Sequence, residues 1–155
     1  MKILVDADSC PKAARELILK RAAKLSIRLI FAANRSVQTE YQDAKISTRA
    51  EMEICPNIEN SADDRIVELA QAGDLVITRD VPLAKRLIDK NAGVIDDRGR
   101  LFTQDNINQM LSLRNFTVAL AEDGLGIERI ANYGRKELKQ FADSLDRVLT
   151  KMIKN

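Results

Sequence analysis

The sequence predicts an α/β fold: a three-layer α/β/α sandwich around a mainly parallel central sheet of about four to five strands. Short runs of apolar residues alternate along the chain with longer segments whose apolar residues recur every three or four positions, as in amphipathic helices. Strands that alternate with helices in this way form a parallel sheet that is covered by helices on both faces. At 155 residues the chain is most simply one domain, spanning 1–155.

The N-terminal part of the chain begins with a strand, a helix and a second strand. The apolar runs "KILVD" (2–6) and "IRLIFAA" (27–33) predict buried strands. A helix is predicted over 11–25, because its first residue is proline, which is well tolerated at the start of a helix. Residues 34–50 are polar and lack clear periodicity, which predicts a loop or an irregular helix, and "MEIC" (52–55) predicts a short strand.

The middle of the chain repeats the alternation of helix and strand. A helix is predicted over 61–72, and "DLVIT" (74–78) predicts a third buried strand. Proline again begins the next helix, over 82–90, which is followed by a short strand, "GVID" (93–96), and a turn at 97–100.

The C-terminal part is predicted to be helical. A helix over 103–121 leads into a loop that contains Gly124 and Gly126. The final helix, 134–154, has its apolar residues at helical spacing. The sequence leaves open whether this helix packs on its own domain or on a partner, so a homo-oligomer also stays open.

Composition narrows the chemistry that the chain can perform. Hydrophobic residues make up 45% and charged residues 31%, as in ordinary soluble proteins, and no apolar run approaches the ~18 residues of a membrane span. The charged residues Asp6 and Asp8 interrupt the N-terminal segment, so no signal peptide is expected. Two cysteines are too few for a disulfide framework, and a reducing compartment such as the cytoplasm is therefore expected. Histidine is absent, which excludes histidine as general base or metal ligand. Any catalysis must therefore depend on carboxylates, a thiol, lysine or a metal.

Acidic residues follow the predicted strands at the edge where ligands bind in open parallel sheets. Others lie in the first turn of the helix that begins at residue 61. The full set is Asp6, Asp8, Asp63, Asp64, Asp80, Asp96 and Asp97. Clustered oxygen ligands without histidine suit Mg²⁺ or Mn²⁺, which activate water and stabilise charge on phosphoryl groups.

Each acidic group also has a structural interpretation. "SADD" (61–64) fits a capping box, Asp80 fits the N-cap of the next helix, and the pair at 96–97 fits a turn. Asp6 and Asp8 have the weakest structural explanation, because one acid would suffice to cap the following helix. The recurrence of acids after several strands therefore favours function.

Basic residues accompany these acids. Lys12 lies on the first predicted helix, while Arg79 and Arg98 lie near the proposed edge of the site. Such residues bind the phosphates of nucleic acids, although charges on helix surfaces also serve solvation alone. Aromatic residues are scarce, so no platform for stacking bases is evident.

Five segments, in this order, resemble the bacterial YaiI/YqxD family of small, uncharacterised proteins that are placed among PIN-like domains. The segments are spread between residues 5 and 149, so the resemblance extends over most of the chain. They are "VDADSCP" (5–11), "SADDRIVE" (61–68), "GDLVITRDVPLA" (73–84), "DRGRLFT" (97–103) and "FADSLDRVL" (141–149).

The resemblance implies a PIN-like α/β/α domain in which clustered acids bind Mg²⁺ or Mn²⁺ and hydrolyse phosphodiester bonds of RNA, with DNA left open as the substrate. By that resemblance Asp6, Asp63 and Asp80 are the catalytic acids, and Asp8 and Asp64 are further metal ligands beside them. Asn34, after the second strand, also matches an asparagine of the family. Asn34, Lys12, Arg79 and Arg98 are the candidate substrate-binding residues.

Two other functions remain open. A non-catalytic RNA-binding or regulatory module would keep the acids for structure or for a metal. A phosphatase similar to the haloacid dehalogenases also begins with D-x-D after its first strand, with Asp6 as nucleophile and Asp8 as general acid. Asp74, however, precedes its strand and is therefore expected at the wrong edge of the sheet for the late acidic motif of that superfamily.

Overall fold

The computed structural model of the protein describes residues 1–34, 50–124 and 132–154. Two predictions therefore lie outside the described residues. They are most of the loop or irregular helix predicted over 34–50, and the loop around Gly126.

The described residues form one sheet of six strands, in the spatial order β3-β2-β1-β4-β5-β6. The first five strands are mutually parallel, and the last is antiparallel to its neighbour. The strands are β1 Lys2–Asp6, β2 Arg28–Ala33, β3 Ala50–Ile54, β4 Leu75–Ile77, β5 Gly93–Ile95 and β6 Leu101–Phe102.

Five described helices cover both faces of this sheet, which gives the predicted three-layer sandwich. They are α1 Lys12–Leu25, α2 Ser61–Leu69, α3 Val81–Ile88, α4 Ile107–Glu122 and α5 Arg135–Lys154. Helices α1 and α5 pack on one face, while α2, α3 and the first turns of α4 pack on the other. None of the described helices is long and apolar enough to cross a membrane.

The alternation of side chains along β1 joins the two cores. Ile3 and Val5 point into the cluster with α1 and α5, whereas Leu4 points into the cluster with α2 and α3, and none of the three is exposed. Period-two alternation of this kind requires apolar residues at every position when both faces are covered. Phe141 and Leu145 bring α5 into the first cluster, so the C-terminal helix packs on its own domain.

The sixth strand was not predicted. Leu101 and Phe102 form a two-residue ladder with β5 after the turn at 97–100, which is too short to leave a pattern in the sequence. The helix predicted over 103–121 begins later, because Thr103 and Asn106 form a turn. The backbone N–H of Thr103 donates to Oδ1 of Asn106 (2.8 Å), and that of Asn106 donates to the Thr103 hydroxyl (3.2 Å).

Candidate functional site

The chain reverses its direction across the sheet between β1 and β4. It winds outward from β1 to β2 and β3, and then returns through α2 to β4, which lies on the other side of β1. Ligands of open α/β sheets bind in the crevice that such a switch leaves beyond the carboxyl ends of the strands. Asp6 is the last residue of β1, Thr78 follows β4 directly, and Asp80 lies two residues further on. The fold therefore brings acids from two segments to its natural binding crevice.

Asp6 is the most buried acid of this group, with 6% of its surface exposed. Its Oδ2 accepts hydrogen bonds from the hydroxyls of Thr78 (2.9 Å) and Ser9 (3.0 Å). Burial raises the pKa of Asp6, the two hydroxyls oppose that shift, and the charges of Asp8 and Asp80 add to it. Oδ1 accepts no hydrogen bond from any described residue, so one oxygen is fixed and the other stays available.

Asp63 lies half-buried in the first turn of α2 and faces the same crevice. Burial raises its pKa to about 6, and repulsion from Asp80 and Asp6 adds to the shift. Arg86 opposes the shift, but its guanidinium already pairs with Asp64 (2.9 Å). The mutual repulsion places Asp6, Asp63 and Asp80 in one electrostatically coupled group.

Asp80 has a structural role as well. Its Oδ1 accepts the backbone N–H of Leu83 (2.9 Å), so Asp80 is the N-cap of α3, as the structural interpretation predicted. Its own backbone N–H donates to the Thr78 hydroxyl (3.1 Å). Thr78 therefore connects the two segments, because the same hydroxyl donates to Asp6. The described contacts of the Asp80 side chain leave Oδ2 without a donor.

Asn34 connects Asp8 to the start of α2 on the other side of the crevice. Its backbone N–H donates to Oδ2 of Asp8 (2.7 Å), and its side-chain oxygen accepts from the Ser61 hydroxyl (2.8 Å) and the Ala62 backbone N–H (3.0 Å). Between these segments lies an open cavity of about 250 Å³. Its lining consists of Asp6, Asp8, Ser9, Asn34, Asn60, Ala62 and Asp63.

These contacts replace the capping box expected within "SADD". The N-cap of α2 is Asn60, which makes no side-chain cap, and the capping oxygen comes instead from Asn34 at the end of β2. Asp64 is exposed and turns away to Arg86. The capping-box interpretation was therefore wrong, and Asp63 is left without a structural partner in the described part of the chain.

The predicted basic residues lie around the crevice rather than among its acids. Arg79 pairs with the buried Asp97, through Nε and Oδ1 at 3.3 Å and through a second, shorter contact. Arg98 is exposed in the turn after β5, where its backbone N–H donates to Oδ1 of Asp96 (3.0 Å). Lys12 is exposed at the start of α1. Asp96 thus stabilises the turn, as its structural interpretation predicted, whereas the pairing of Asp97 with Arg79 was not predicted.

The acids of the crevice offer oxygen ligands to a divalent cation, although they are not arranged as a closed site. Within 1–34, 50–124 and 132–154, no three acidic or cysteine side chains form a ready-made metal site. The donor set still fits a hard cation, because Oδ1 of Asp6, Oδ2 of Asp80 and the Asp63 carboxylate accept no hydrogen bond from the described residues. Binding an ion here requires these carboxylates to turn toward one another.

Sequence reasoning missed Thr78 and Ser9 as partners of Asp6. Thr78 stands in "TRD", two residues before an acid that the sequence did single out, which is the one local signal for it. Ser9 precedes α1, but its hydroxyl donates to Asp6, and the N-cap of α1 makes no side-chain hydrogen bond. Cys10 packs in the core, where burial raises the pKa of its thiol to about 12, so it supplies no thiolate at neutral pH.

Asp74 lies away from the crevice, as the sequence predicted. This residue lies at the opposite edge of the sheet, where Oδ2 pairs with Nζ of Lys2 (2.5 Å) and Oδ1 accepts the Lys2 backbone N–H (3.0 Å). Asp74 therefore has a structural role at the start of β1, and it lies too far from Asp6 and Asp8 to act with them. It thus does not serve as the late acid of a site like that of the haloacid dehalogenases.

Comparison with known proteins agrees with the resemblance of the motifs. The family described as "Uncharacterized BCR, YaiI/YqxD family" matches residues 4–151. A UPF0178 protein of Treponema denticola is 46% identical over 99% of this chain and 95% of its own length. UPF0178 proteins of Treponema pallidum and Syntrophobacter fumaroxidans are each 40% identical over 99% of this chain, and over 84% and 97% of their own lengths. No solved structure gives a significant match.

Proposed function

This chain belongs to the uncharacterised YaiI/YqxD family, and from the chemistry of its own site we propose that it is a divalent-metal-dependent nuclease. The proposed reaction is hydrolysis of phosphodiester bonds, with RNA as the first substrate class to test. Asp6, Asp63 and Asp80 are the proposed catalytic acids, and Mg²⁺ or Mn²⁺ is the proposed cofactor.

The observation that carries the proposal is the group of mutually repelling carboxylates at the switch point of the sheet. Asp6, Asp63 and Asp80 repel one another, and Asp6 and Asp63 have raised pKa values, first because of burial. A buried carboxylate is costly unless something pairs with it. Among the described residues, Arg86 is the cation that lowers the pKa of Asp63, and its guanidinium is already paired with Asp64. A bound divalent cation would remove this cost, which explains why the chain keeps three acids here.

The residues have separate roles in the proposed reaction. Thr78 and Ser9 hold Oδ2 of Asp6 and so aim Oδ1 at the crevice. Asp80 is fixed through its cap of α3. Asp63 accepts no hydrogen bond from the described residues, and burial raises its pKa to about 6. A divalent ion held by these acids would activate water and offset the charge that develops on the phosphoryl oxygens.

A nucleic-acid substrate agrees with the surroundings of the site. The crevice is open on one side, so a polymer strand has access to it. The side chains of Lys12 and Arg98 are exposed, which gives phosphates access to them. Salt should therefore weaken binding of the substrate. Both cysteines are buried and unpaired, which agrees with a cytoplasmic setting for such an enzyme.

The proposal is tested by cleavage of a panel of RNA and DNA oligonucleotides in Mg²⁺, in Mn²⁺ and in a chelator. Asp6→Asn, Asp63→Asn and Asp80→Asn should each lower the metal-dependent rate by at least about 10²-fold, the scale seen for removal of a key electrostatic group. Asp89→Asn is the matched control, since Asp89 ends the helix that Asp80 begins and pairs only with Lys85 at the surface. Cleavage that survives Asp6→Asn unchanged would refute the proposal.

A second candidate is a non-catalytic module that binds RNA. It is favoured by the lack of a ready-made metal site among the described side chains and by the capping role of Asp80. Binding of RNA that is equal with and without metal, with no turnover in either, would select this candidate. Binding that strengthens with Mn²⁺ and is followed by cleavage would select the nuclease.

A further inference from the structure

Two asparagine side chains belong to the acid-lined crevice, and their amide N–H groups have no acceptor in the described part of the chain. Asn34 and Asn60 both line the cavity. Oδ1 of Asn34 accepts from Ser61 and Ala62, which fixes the amide and leaves Nδ2 without an acceptor among the described residues. The Asn60 side chain makes no cap of α2 and no other described hydrogen bond. The crevice therefore offers N–H donors beside its carboxylates.

The other side chains that line the crevice leave no further donor. Asp6, Asp8 and Asp63 are acids, and the Ser9 hydroxyl already donates to Asp6. An amide N–H group does not bind a cation, and an ionised carboxylate repels an anion. A ligand that satisfies both sets must therefore bring a cation to the acids and acceptor oxygens to the amides. A phosphodiester that binds together with a divalent ion has both.

The backbone of Asn60 limits which residues are tolerated at this position. Its φ is 63°, in the left-handed region that glycine, asparagine and aspartate adopt most readily. Glycine would bring no side chain, and aspartate would add a negative charge to the crevice. Asparagine therefore satisfies the backbone and also presents neutral donors. Asn60 is exposed, so a substrate has access to it.

We propose that the amide of Asn60, beside that of Asn34, donates hydrogen bonds to a non-bridging phosphate oxygen of the substrate. This inference rests on the proposed nuclease function and extends it by naming a contact with the substrate. Neutral donors suit the position, because a lysine or arginine here would pair with the acids and displace the metal ion. A contact with phosphate carries no sequence information, so it should act equally on different bases and on RNA and DNA.

Asn91 supplies a matched control for Asn60. It is also exposed, and its φ of 61° is nearly the same. Asn91 lies just before β5 begins, whereas the crevice lies beyond the carboxyl ends of the strands. Glycine adopts this backbone conformation without strain, so replacement by glycine removes only the side chain at either position. A loss that is specific to Asn60 therefore reports the amide and not the turn.

The first test is steady-state cleavage of matched RNA and DNA oligonucleotides in Mn²⁺. Asn60→Gly should raise KM by about 10-fold, the scale of a lost hydrogen bond to a charged group, and should leave kcat nearly unchanged. Asn91→Gly should change neither constant. The rise in KM should be equal on RNA and DNA. An unchanged KM in Asn60→Gly would overturn the proposal, and so would a rise on RNA alone, which would indicate the 2′-hydroxyl.

Binding separates this proposal from the proposed function. If the unchanged chain binds the oligonucleotides without cleaving them, the nuclease proposal fails, and the Kd from fluorescence anisotropy replaces KM. A Kd about 10-fold weaker in Asn60→Gly than in Asn91→Gly would still support the contact with phosphate. Equal Kd values in the two variants, or no binding by the unchanged chain, would overturn it.

Asn60→Asp tests the donor against the shape of the side chain. Aspartate adopts the same backbone conformation and has nearly the same size, but it replaces the amide donors by a carboxylate. Oligonucleotide affinity should therefore fall further than in Asn60→Gly, while Mn²⁺ affinity, measured by calorimetry, should stay equal or rise. Asn91→Asp should alter neither affinity. A parallel fall of both affinities in Asn60→Asp would show a disturbed turn in place of a lost donor and would overturn the proposal.

Discussion

Thr78 donates its hydroxyl hydrogen to Oδ2 of Asp6 at 2.9 Å and accepts the backbone N–H of Asp80 at 3.1 Å. A single buried hydroxyl therefore connects the end of β1 to the segment after β4. This relationship sets the distance between two of the three proposed catalytic acids. It also explains why one oxygen of Asp6 is held while the other is available to a ligand.

Replacing Thr78 by valine should destabilise the fold and weaken the site together. The change preserves shape but leaves Asp6 and the Asp80 N–H each short of a partner, at a cost of about 1–3 kcal/mol for a buried unsatisfied group. The pKa of Asp6 should rise further, because a hydrogen bond that lowers it is lost. Chemical denaturation and Mn²⁺ titration measure the two effects. Thr78→Ser keeps the hydroxyl, and a loss of Mn²⁺ affinity equal to that of the valine variant would contradict the role assigned to it.

The raised pKa of Asp63 gives the metal-free protein a pH dependence of defined sign. Its carboxyl titrates near 6 when folded, against an ordinary value of 3.8, so the folded chain binds the proton more tightly. The contribution of Asp63 is therefore fully favourable below the ordinary value and is lost as pH rises through about 6. The free energy of unfolding, measured by denaturation at a series of pH values, should fall over this window, and Asp63→Asn should reduce that fall.

Metal should reverse this dependence. A cation competes with the proton for the same carboxylate, so Mn²⁺ affinity should increase as pH rises through about 6 in the unchanged protein. Asp64→Asn is the matched control, because Asp64 follows Asp63 in the chain but is exposed and paired with Arg86. If Asp64→Asn abolished the pH dependence as fully as Asp63→Asn, the assignment of Asp63 would be wrong.

Asn34 should stabilise α2 from outside that helix. Asn34→Ala removes the oxygen that accepts from Ser61 and Ala62, and loss of a helix cap typically costs about 1 kcal/mol. Asn115→Ala, on the exposed surface of α4, is the control and should change the free energy of unfolding little. Since α2 carries Asp63, the Asn34 variant should also lower Mn²⁺ affinity. Unchanged stability would contradict the capping role.

Gly99 should be far less replaceable than Gly73, although the two share the same positive φ of 86°. A Cβ at Gly99 would lie 2.5 Å from the Ser144 hydroxyl and 2.7 Å from the Gln140 carbonyl, whereas a Cβ at Gly73 meets nothing within 4 Å. Gly73→Ala therefore measures backbone strain alone, of about 1–3 kcal/mol. Gly99→Ala should cost clearly more, by thermal or chemical denaturation. Equal losses of unfolding free energy in the two variants would show that the turn at Gly99 is not packed tightly against α5.

The sequence predicted the layers of the fold and the acids of the site for a simple reason. Strands buried on both faces are continuous apolar runs, so the first polar residue after each run, such as Asp6, marks the edge where ligands bind. Both the alternation of elements and the positions of Asp6 and Asp80 are local patterns, and these can be read without knowing the contacts.

The parts that could not be predicted depend on contacts between distant segments. Thr78 and Asp6 are 72 residues apart, and Asn34 caps a helix that begins 27 residues later, so neither partner leaves a local signal. Strand β6 has two residues and exists because the turn at 97–100 returns the chain to β5. The capping box in "SADD" was locally plausible, but Asn34 supplied the cap instead.

The central claim is that Asp6, Asp63 and Asp80 share a divalent cation. The most direct measurement is a crystal structure of the full chain soaked in Mn²⁺, with anomalous scattering to locate the ion. We expect one or two anomalous peaks in the crevice, with carboxylate oxygens of all three residues at about 2.1 Å from manganese or bridged to it by one water. Saturating Mn²⁺ with no anomalous peak at these residues, or with peaks only at surface acids such as Asp64, would contradict the account.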